Sequence, residues 1–560
     1  MTPRHPANTP PYLRFLQRLK TYFPGPVSEP VLDGYFVHTI SRFLDRVDDL
    51  KSAAPILGRS RRADYQNDLG LKFPEETATV EQVIGLLAEY CQGMPIWAHP
   101  NSQVNVIPPT TIPSITAFVA AAIYNPNIIW DEYSARFAEA EIQTVALVSD
   151  LIGYDPQRAG GVFTFSGTGT NFYGCKLGIE KALGCRAMEE GVREDVKIVS
   201  SEASHYSRLN VSGWLGVGMK NLVTIPTTPD NDMSLPHLEE YLRRALDAGE
   251  KVGVIIATMG TTDAFGLDDL GAIVRLRDQL AREYRLPQPP HIHADAVIGW
   301  VWSVFRDYDF QANPLEFKAR TLKALEHSLE RLGDLAQADS LGIDFHKTGY
   351  APYLSSLFMV KDRRDLACLS REPEEMPYLY QFGSYHPGIF TLECSRPGSG
   401  ALAAYANIRL LGKQGYRVLI GHAVEMAEML RERLEAYPFI QAVNDRNFGP
   451  VTLFRVYPPG VDAEAAYRLE KKDPAYREQL EAHNNYNRRV FQLIHDRAMR
   501  GEGVLLSWTD AYRHARYGQE EGPPIAALKS YILSPWTDAA AVETVARQVA
   551  EVRNAMESER

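Results

Sequence analysis

The run Gly342-Ile343-Asp344-Phe345-His346-Lys347-Thr348-Gly349-Tyr350 sets a lysine in a compact segment flanked by glycines. A solvated ammonium is costly to bury. Desolvation favours the neutral amine and lowers its pKa, and a neutral amine can attack a carbonyl carbon to form a Schiff base. Taken alone, Lys347 reads as an ordinary lysine at a strand end. Other stretches change that reading. In His293-Ala294-Asp295-Ala296-Val297 an acid closes an apolar strand, where it is costly unless paired or hydrogen-bonded. A protonated ring nitrogen is one partner that justifies it, and a helix cap is the plain alternative.

Three polar segments follow other strands. Thr164-Phe-Ser-Gly-Thr-Gly-Thr-Asn171 precedes a helix expected from near Phe172, and a Gly/Ser/Thr loop at a helix N-terminus offers backbone N–H groups and hydroxyls to a phosphate. It has neither the G-x-G-x-x-G spacing of a dinucleotide site nor the Gly-Lys-Ser/Thr of a P-loop. Ser201-Glu-Ala-Ser-His205-Tyr-Ser207 and Thr258-Met-Gly-Thr-Thr262 each follow an apolar run. A lone histidine or a Gly-Thr-Thr turn is ordinary. A phosphate cradle, a ring-stacking histidine, a carboxylate and a reactive lysine, in that chain order, suit pyridoxal phosphate, which needs a lysine and a carboxylate on its pyridine nitrogen.

The elements that must position these residues show in the patterning. Apolar residues recur at helical spacing from Pro30 to Tyr90, before the proline-rich run 99–113, which excludes a regular helix. Helices are expected over 114–124 and 134–151. Short apolar runs at 161–165, 196–200, 222–225, 252–257, 291–295 and 357–360 then alternate with helical patterns such as 235–248 and 267–284. Alternating strand and helix implies a mostly parallel sheet covered on both faces, with ligands bound beyond the carboxyl ends of the strands. Residues 400–437 are helical in pattern, and strand-like pieces at 451–456 and 503–507 suggest a smaller α+β part. The expected domains are an N-terminal helical segment over 1–113, a large domain over 114–399 and a small C-terminal domain over 400–560.

Composition sets outer bounds. The 560 residues are 45% hydrophobic and 23% charged, as in soluble globular chains, and the net charge of −11 argues against nucleic acid or an anionic membrane as the main partner. The five cysteines, Cys91, Cys175, Cys185, Cys368 and Cys394, are scattered, which predicts reduced thiols in a cytoplasmic protein with neither a disulfide framework nor a metal site. The apolar stretch 115–124 is too short to cross a bilayer, and the N-terminal residues lack the apolar run of a signal peptide.

From about His99 to Glu551 the sequence resembles the group II pyridoxal-phosphate-dependent amino acid decarboxylases. The resemblance implies the aspartate-aminotransferase-like fold (fold type I): an α/β large domain with a mostly parallel seven-stranded sheet, a helical N-terminal segment and a small α+β C-terminal domain. It also implies a homodimer with shared active sites. By the same resemblance Lys347 is the Schiff-base lysine, His346 its neighbour, Asp295 the partner of the pyridine nitrogen and His205 the ring-stacking residue. Thr262 lies near the ring, and Ser166, Gly167 and Thr168 hold the phosphate. His99-Pro100 followed by Pro108 resembles the family's substrate-pocket segment and puts Asn105 and Ile107 near the substrate. Arg396 is a candidate for a substrate or phosphate oxygen.

Some positions depart from the family pattern. Val297 stands where a small alanine is usual, and Ser-Gly-Thr-Gly-Thr-Asn replaces the usual cradle. The insertion over 306–332 and the pairing of Tyr350 with Tyr353 resemble the bacterial tyrosine decarboxylase branch. The activity implied is loss of CO2 from an L-amino acid, aromatic substrates favoured, with the proton supplied by a tyrosine of the loop 370–387. Tyr378 and Tyr380 are the candidates there, ahead of Tyr385. Alternatives keep the cofactor but change the reaction: a carbon–carbon lyase, a decarboxylating aldehyde synthase, or a decarboxylase of an acidic amino acid. A scaffold without catalysis would be expected to lose the lysine or the aspartate, and both are present.

Overall fold

The computed structural model describes residues 10–61, 63–377, 383–444, 446–518 and 520–558. The chain divides into two compact units, Met1–Ile96 with His495–Gly503, and Trp97–Ile494 with Val504–Arg560. The first unit is helical. Its helix α1 (Val80–Tyr90) starts at a capping box in which Thr79 and Gln82 satisfy each other's backbone N–H groups.

The second unit is built on a seven-stranded sheet: β1 (Gly160–Thr164), β2 (Val196–Ser201), β3 (Leu222–Ile225), β4 (Lys251–Thr258), β5 (His291–Asp295), β6 (Ser340–Asp344) and β7 (Ser356–Val360). The spatial order is β1-β7-β6-β5-β4-β2-β3. Only β7 runs antiparallel to its neighbours, and the remaining pairs are parallel. Strands β5, β6 and β7 are buried along their whole length, which is why they read as nearly continuous apolar runs. Helices α2 (Ile112–Tyr124), α3 (Arg136–Ile152) and α4 (Gly167–Ala182) belong to the same unit. Helix α4 lies close on the sheet because Gly174 and Gly178 face it. A Cβ at Gly174 would fall 2.3 Å from His293 Nδ1, and one at Gly178 2.8 Å from the Gly253 carbonyl oxygen.

Helix α5 (Ser399–Glu435) is interrupted at Gly412, whose φ of 53° only glycine adopts readily. Beyond it β8 (Ile440–Ala442), β9 (Val451–Val456), β10 (Leu505–Tyr517) and β11 (Glu520–Tyr531) form a second sheet, with the two-residue strand Ser102–Gln103 at its edge. Among the described residues no helix is long and apolar enough to cross a membrane.

The cysteine expectation is corrected. Cys185 and Cys368, 183 residues apart, are joined in a disulfide with their Cα atoms 4.9 Å apart. The end of α4 and the 3-10 helix Arg363–Leu369 after β7 become neighbours because β1 and β7 pair in the sheet. Scattered spacing along the chain carries no sign of that proximity. Cys91, Cys175 and Cys394 are free.

Candidate active site

Strand β6 ends at Asp344 and the chain turns at once. Gly349 is required by the tightness of the turn, since a Cβ there would meet the Phe345 Cα at 2.5 Å. The Gly349 carbonyl accepts from Asn407 Nδ2 at 2.8 Å and from the Tyr416 hydroxyl at 3.2 Å, and Thr348 Oγ1 donates to the Ile298 carbonyl at 2.8 Å. This fixed turn folds the Lys347 Nζ back to 2.8 Å from Asp344 Oδ2. Asp344 is buried, and its other oxygen accepts from Ser356 Oγ at 2.6 Å.

Desolvation pulls the Lys347 pKa down, but the Asp344 carboxylate outweighs it and the net direction is up. Lys347 therefore rests as an ammonium ion, the reverse of what its burial alone would give. Asp344 is shifted down: burial opposes ionisation, and the charges of Lys347 and His346 prevail. His346 is shifted down by burial, accepts from the Ser355 N–H at 3.2 Å, and packs against the Tyr353 ring at 4.0 Å between centroids.

Asp295 closes the adjacent strand, in register with Gly342 of β6. Its Oδ2 accepts from Asn171 Nδ2 at 2.9 Å, whereas its buried Oδ1 has no hydrogen-bond partner. His205 follows β2, accepts the Ser207 N–H at Nδ1 at 3.2 Å, and is shifted down by burial against the pull of Asp295. Lys347, Asp344 and Asp263 also act on His205 electrostatically, which places it within the same cluster of charges. At the N-terminus of α4 Ser166 is the cap, its Oγ accepting from the N–H groups of Thr168 and Gly169 at 3.1 and 3.4 Å. Gly167 lies against the lysine strand: a Cβ there would be 2.8 Å from Asp344 Oδ2 and 3.2 Å from Val297 Cγ1. Thr262 and His205 both line a cavity of about 490 Å³, together with Arg208, Asp263, Arg513 and His514.

Lys347, His346, Asp295, His205 and the cradle Ser166–Thr168 thus converge at the carboxyl ends of the strands. Other candidates do not join them in this way. Arg396 is buried and committed within the fold. It pairs with Glu141 at 2.6 and 3.0 Å and donates to the Phe163 and Ile128 carbonyls at 2.9 and 2.8 Å. Tyr385, half-buried, donates to the same Glu141 at 2.8 Å. Asn105 is exposed at φ 49°, its N–H donating to Ser507 Oγ at 3.4 Å, and Ile107 is half-buried. Their segment is tied to the lysine turn at Thr111, whose N–H donates to the Tyr350 carbonyl at 3.3 Å. Tyr378 and Tyr380 lie outside the described residues.

Nothing in the sequence singles out Asn171 or Asp344 as a site residue. Both stand inside the motifs that drew attention to Ser166 and Lys347, but an amide at the end of a polar loop and an acid three residues before a lysine are common.

The conserved domain of pyridoxal-dependent decarboxylases matches residues 321–456, which include the lysine turn. The L-2,4-diaminobutyrate decarboxylase of Acinetobacter baumannii is 24% identical over 383 residues, covering 65% of this chain and 69% of that protein. The L-tyrosine decarboxylase of Enterococcus faecium is 28% identical over 256 residues, 42% of this chain and 41% of that one. Among solved structures, the Oryza sativa TDC with PLP and tryptamine superimposes with a TM-score of 0.74 at 18% identity, over 95% of this chain and 99% of that one. The fold is that of the pyridoxal-phosphate decarboxylases. With a pyridoxal-dependent decarboxylase domain in the chain, its cofactor is pyridoxal 5'-phosphate.

The residues present fit that group. The unpartnered Asp295 Oδ1 is a buried acceptor suited to a ring N–H. At Gly167 the backbone lies so close to Asp344 that a side chain would clash, and the α4 N-terminus provides donors for a phosphate.

The charge state of Lys347 has a measurable consequence. Only its neutral amine can attack the cofactor aldehyde, so cofactor association should quicken as pH rises through the alkaline range. Asp344→Asn removes the largest of the charges that raise the lysine pKa, leaving burial opposed by Asp295 and Tyr353. The rise should move to lower pH, and association at pH 7.5 should quicken by about tenfold per pKa unit recovered. Stopped-flow absorbance across pH reads this directly. A slower reaction with an unmoved profile would show that Asp344 does not set the charge of the amine.

Proposed function

We propose that this protein removes the α-carboxylate of an L-amino acid, releasing CO2 and the amine. The observation that carries this reading is the juxtaposition, on neighbouring parallel strands, of the Lys347 amine and the buried Asp295 with one unpartnered oxygen. When bound, the cofactor supplies an electron sink for the pair left as the carbon–carbon bond breaks. Asp295 would keep the ring nitrogen protonated, His205 would stack on the ring, with Thr262 near it, and Ser166, Gly167 and Thr168 would hold the phosphate. The Lys347 amine would hold the cofactor through a Schiff base. The proton that replaces the carboxylate comes from Tyr378 or Tyr380 in a homodimer with shared sites, an assignment supported by the family resemblance alone.

An aromatic substrate such as tyrosine is favoured by the same resemblance, with Asn105 and Ile107 on the substrate side. A second reading, an acidic substrate, is favoured by the cavity wall. Arg513 donates there to the carbonyls of Thr228 and Pro229 and to Asn231 Oδ1, all neutral acceptors, and Arg208 Nε is buried without a partner. The test is to incubate the cofactor-loaded protein with L-tyrosine, L-tryptophan, L-aspartate, L-glutamate and L-2,4-diaminobutyrate and to quantify CO2 and amine. Equal amounts of both from one of them are expected. CO2 accompanied by an aldehyde would indicate the oxidative alternative, and no CO2 from any of the five would overturn the reading.

A further inference from the structure

Residues His291, His293 and Asp295 alternate along β5 and so share one face of the sheet. That face meets α4, which carries Asn171, and the neighbouring strand β6, whose Ser340 stands in register with His293. Four hydrogen bonds link these groups in a line. Asn171 Nδ2 is 2.9 Å from Asp295 Oδ2, and Asn171 Oδ1 is 3.1 Å from His293 Nε2. His293 Nδ1 is 2.8 Å from Ser340 Oγ, which is 2.7 Å from His291 Nε2. All five residues are at most 4% exposed.

The direction of every bond follows from donor and acceptor chemistry. An ionised carboxylate only accepts, so the Asn171 amide nitrogen faces Asp295 and its oxygen faces His293. That oxygen only accepts, so His293 carries its proton on Nε2 and presents a lone pair at Nδ1. Ser340 then donates to His293 and accepts from the Nε2–H of His291. The line ends at His291 Nδ1, a buried lone pair without a partner. Reversing the line would face an amide oxygen against a carboxylate and strand an N–H donor at His291. Burial pushes His291 to about 4 and His293 to about 3, so both imidazoles stay neutral. The His293 ring is held between Gly174, which has no side chain to displace it, and the strand.

We propose that His293, anchored through Ser340 to His291, is a positioning residue. It locks the Asn171 amide in one orientation, so that Asp295 Oδ2 is held and Oδ1 is left facing the cofactor ring. This rests on the assignment of Asp295 to the ring nitrogen under the proposed function. Because the other four members of the line are uncharged, the negative charge of Asp295 remains available to the ring.

The first test needs no cofactor. In cofactor-free protein labelled with 15N-histidine, His293 should show the neutral Nε2-protonated tautomer, unchanged from pH 6 to 8. The second compares variants. His293→Gln keeps an amide N–H near the Nε2 position and should bind pyridoxal phosphate within about threefold of wild type. His293→Met leaves the Asn171 oxygen unpaired and should weaken binding by about tenfold or more, with a shift of the visible band that the Gln variant restores. Ser340→Ala, a smaller change in the same line, should fall between them if the Met variant folds poorly. An Nδ1-protonated or cationic His293 would overturn the proposal. So would equal binding and equal band position in the Gln and Met variants, or in Ser340→Ala and wild type. Failure of the wild-type protein to develop a visible band would instead count against the proposed function, while the tautomer would still report on the line.

Discussion

Lys347→Ala is expected to eliminate the visible band that pyridoxal phosphate should develop on the wild-type protein and to lower turnover by about 10⁴-fold or more, the scale of loss that follows removal of a covalent nucleophile. The physical basis is the fixed lysine turn. Gly349, Thr348 and Asn407 hold the backbone so that one amine reaches the cluster formed by Asp295, Asp344 and His205. The alanine variant also strips the counter-ion from buried Asp344, so part of its defect is loss of stability. Lys347→Arg separates the two effects. It retains a cation beside Asp344 but has no nucleophilic amine, and it should unfold near the wild-type temperature while remaining colourless with the cofactor. A band of wild-type intensity in either variant would remove Lys347 from its assigned role.

Asp295→Asn is expected to have the second-largest effect, a loss of roughly 10²–10³-fold in turnover, comparable to deletion of one preorganised electrostatic partner. The amide has the size of the carboxylate but no negative charge to keep a ring nitrogen protonated. Because Asn171 already occupies one oxygen, the other, buried and without a partner, is the one left to accept from a ring N–H. Folding should change little, since the Asn171 donor keeps an acceptor in the variant. Single-turnover CO2 release, together with the band position, checks this. A turnover within threefold of wild type would mean that Asp295 does not touch the reacting system.

Much of this architecture was legible in the sequence. Strands β1, β2, β4, β5 and β7 were apparent as short apolar runs because a strand buried on both faces needs apolar residues, and the partly exposed β3 still carries Leu222, Val223 and Ile225. Asp295, His205 and Ser166 stood out because each lies at or just beyond the carboxyl end of such a run, where a parallel sheet opens to ligands, and Lys347 stood out through its flanking glycines. The C-terminal hairpin was seen only in part. Its strands β10 and β11 extend to 13 and 12 residues, and exposed positions within them, Asp510, Ala511, Glu520, Glu521 and Pro524, blur an apolar signal.

Other features depended on contacts between residues far apart in the chain. Arg396, which from its type suits a bound anion, is matched instead by Glu141, 255 residues earlier. Cys185 and Cys368 meet only because β1 pairs with β7. The line from His291 to Asp295 draws on α4, β5 and β6, and its orientation emerges only once Asn171 stands 2.9 Å from the carboxylate. The lysine on which the site depends shows the division most directly. By itself the sequence determined that an amine sits at a strand end in a compact segment flanked by glycines, because residue type and spacing are local properties. Only the tertiary structure decided that this amine is charged at rest, because the turn brings it within 2.8 Å of Asp344, and at that distance in a buried site the Coulomb attraction exceeds the cost of desolvation.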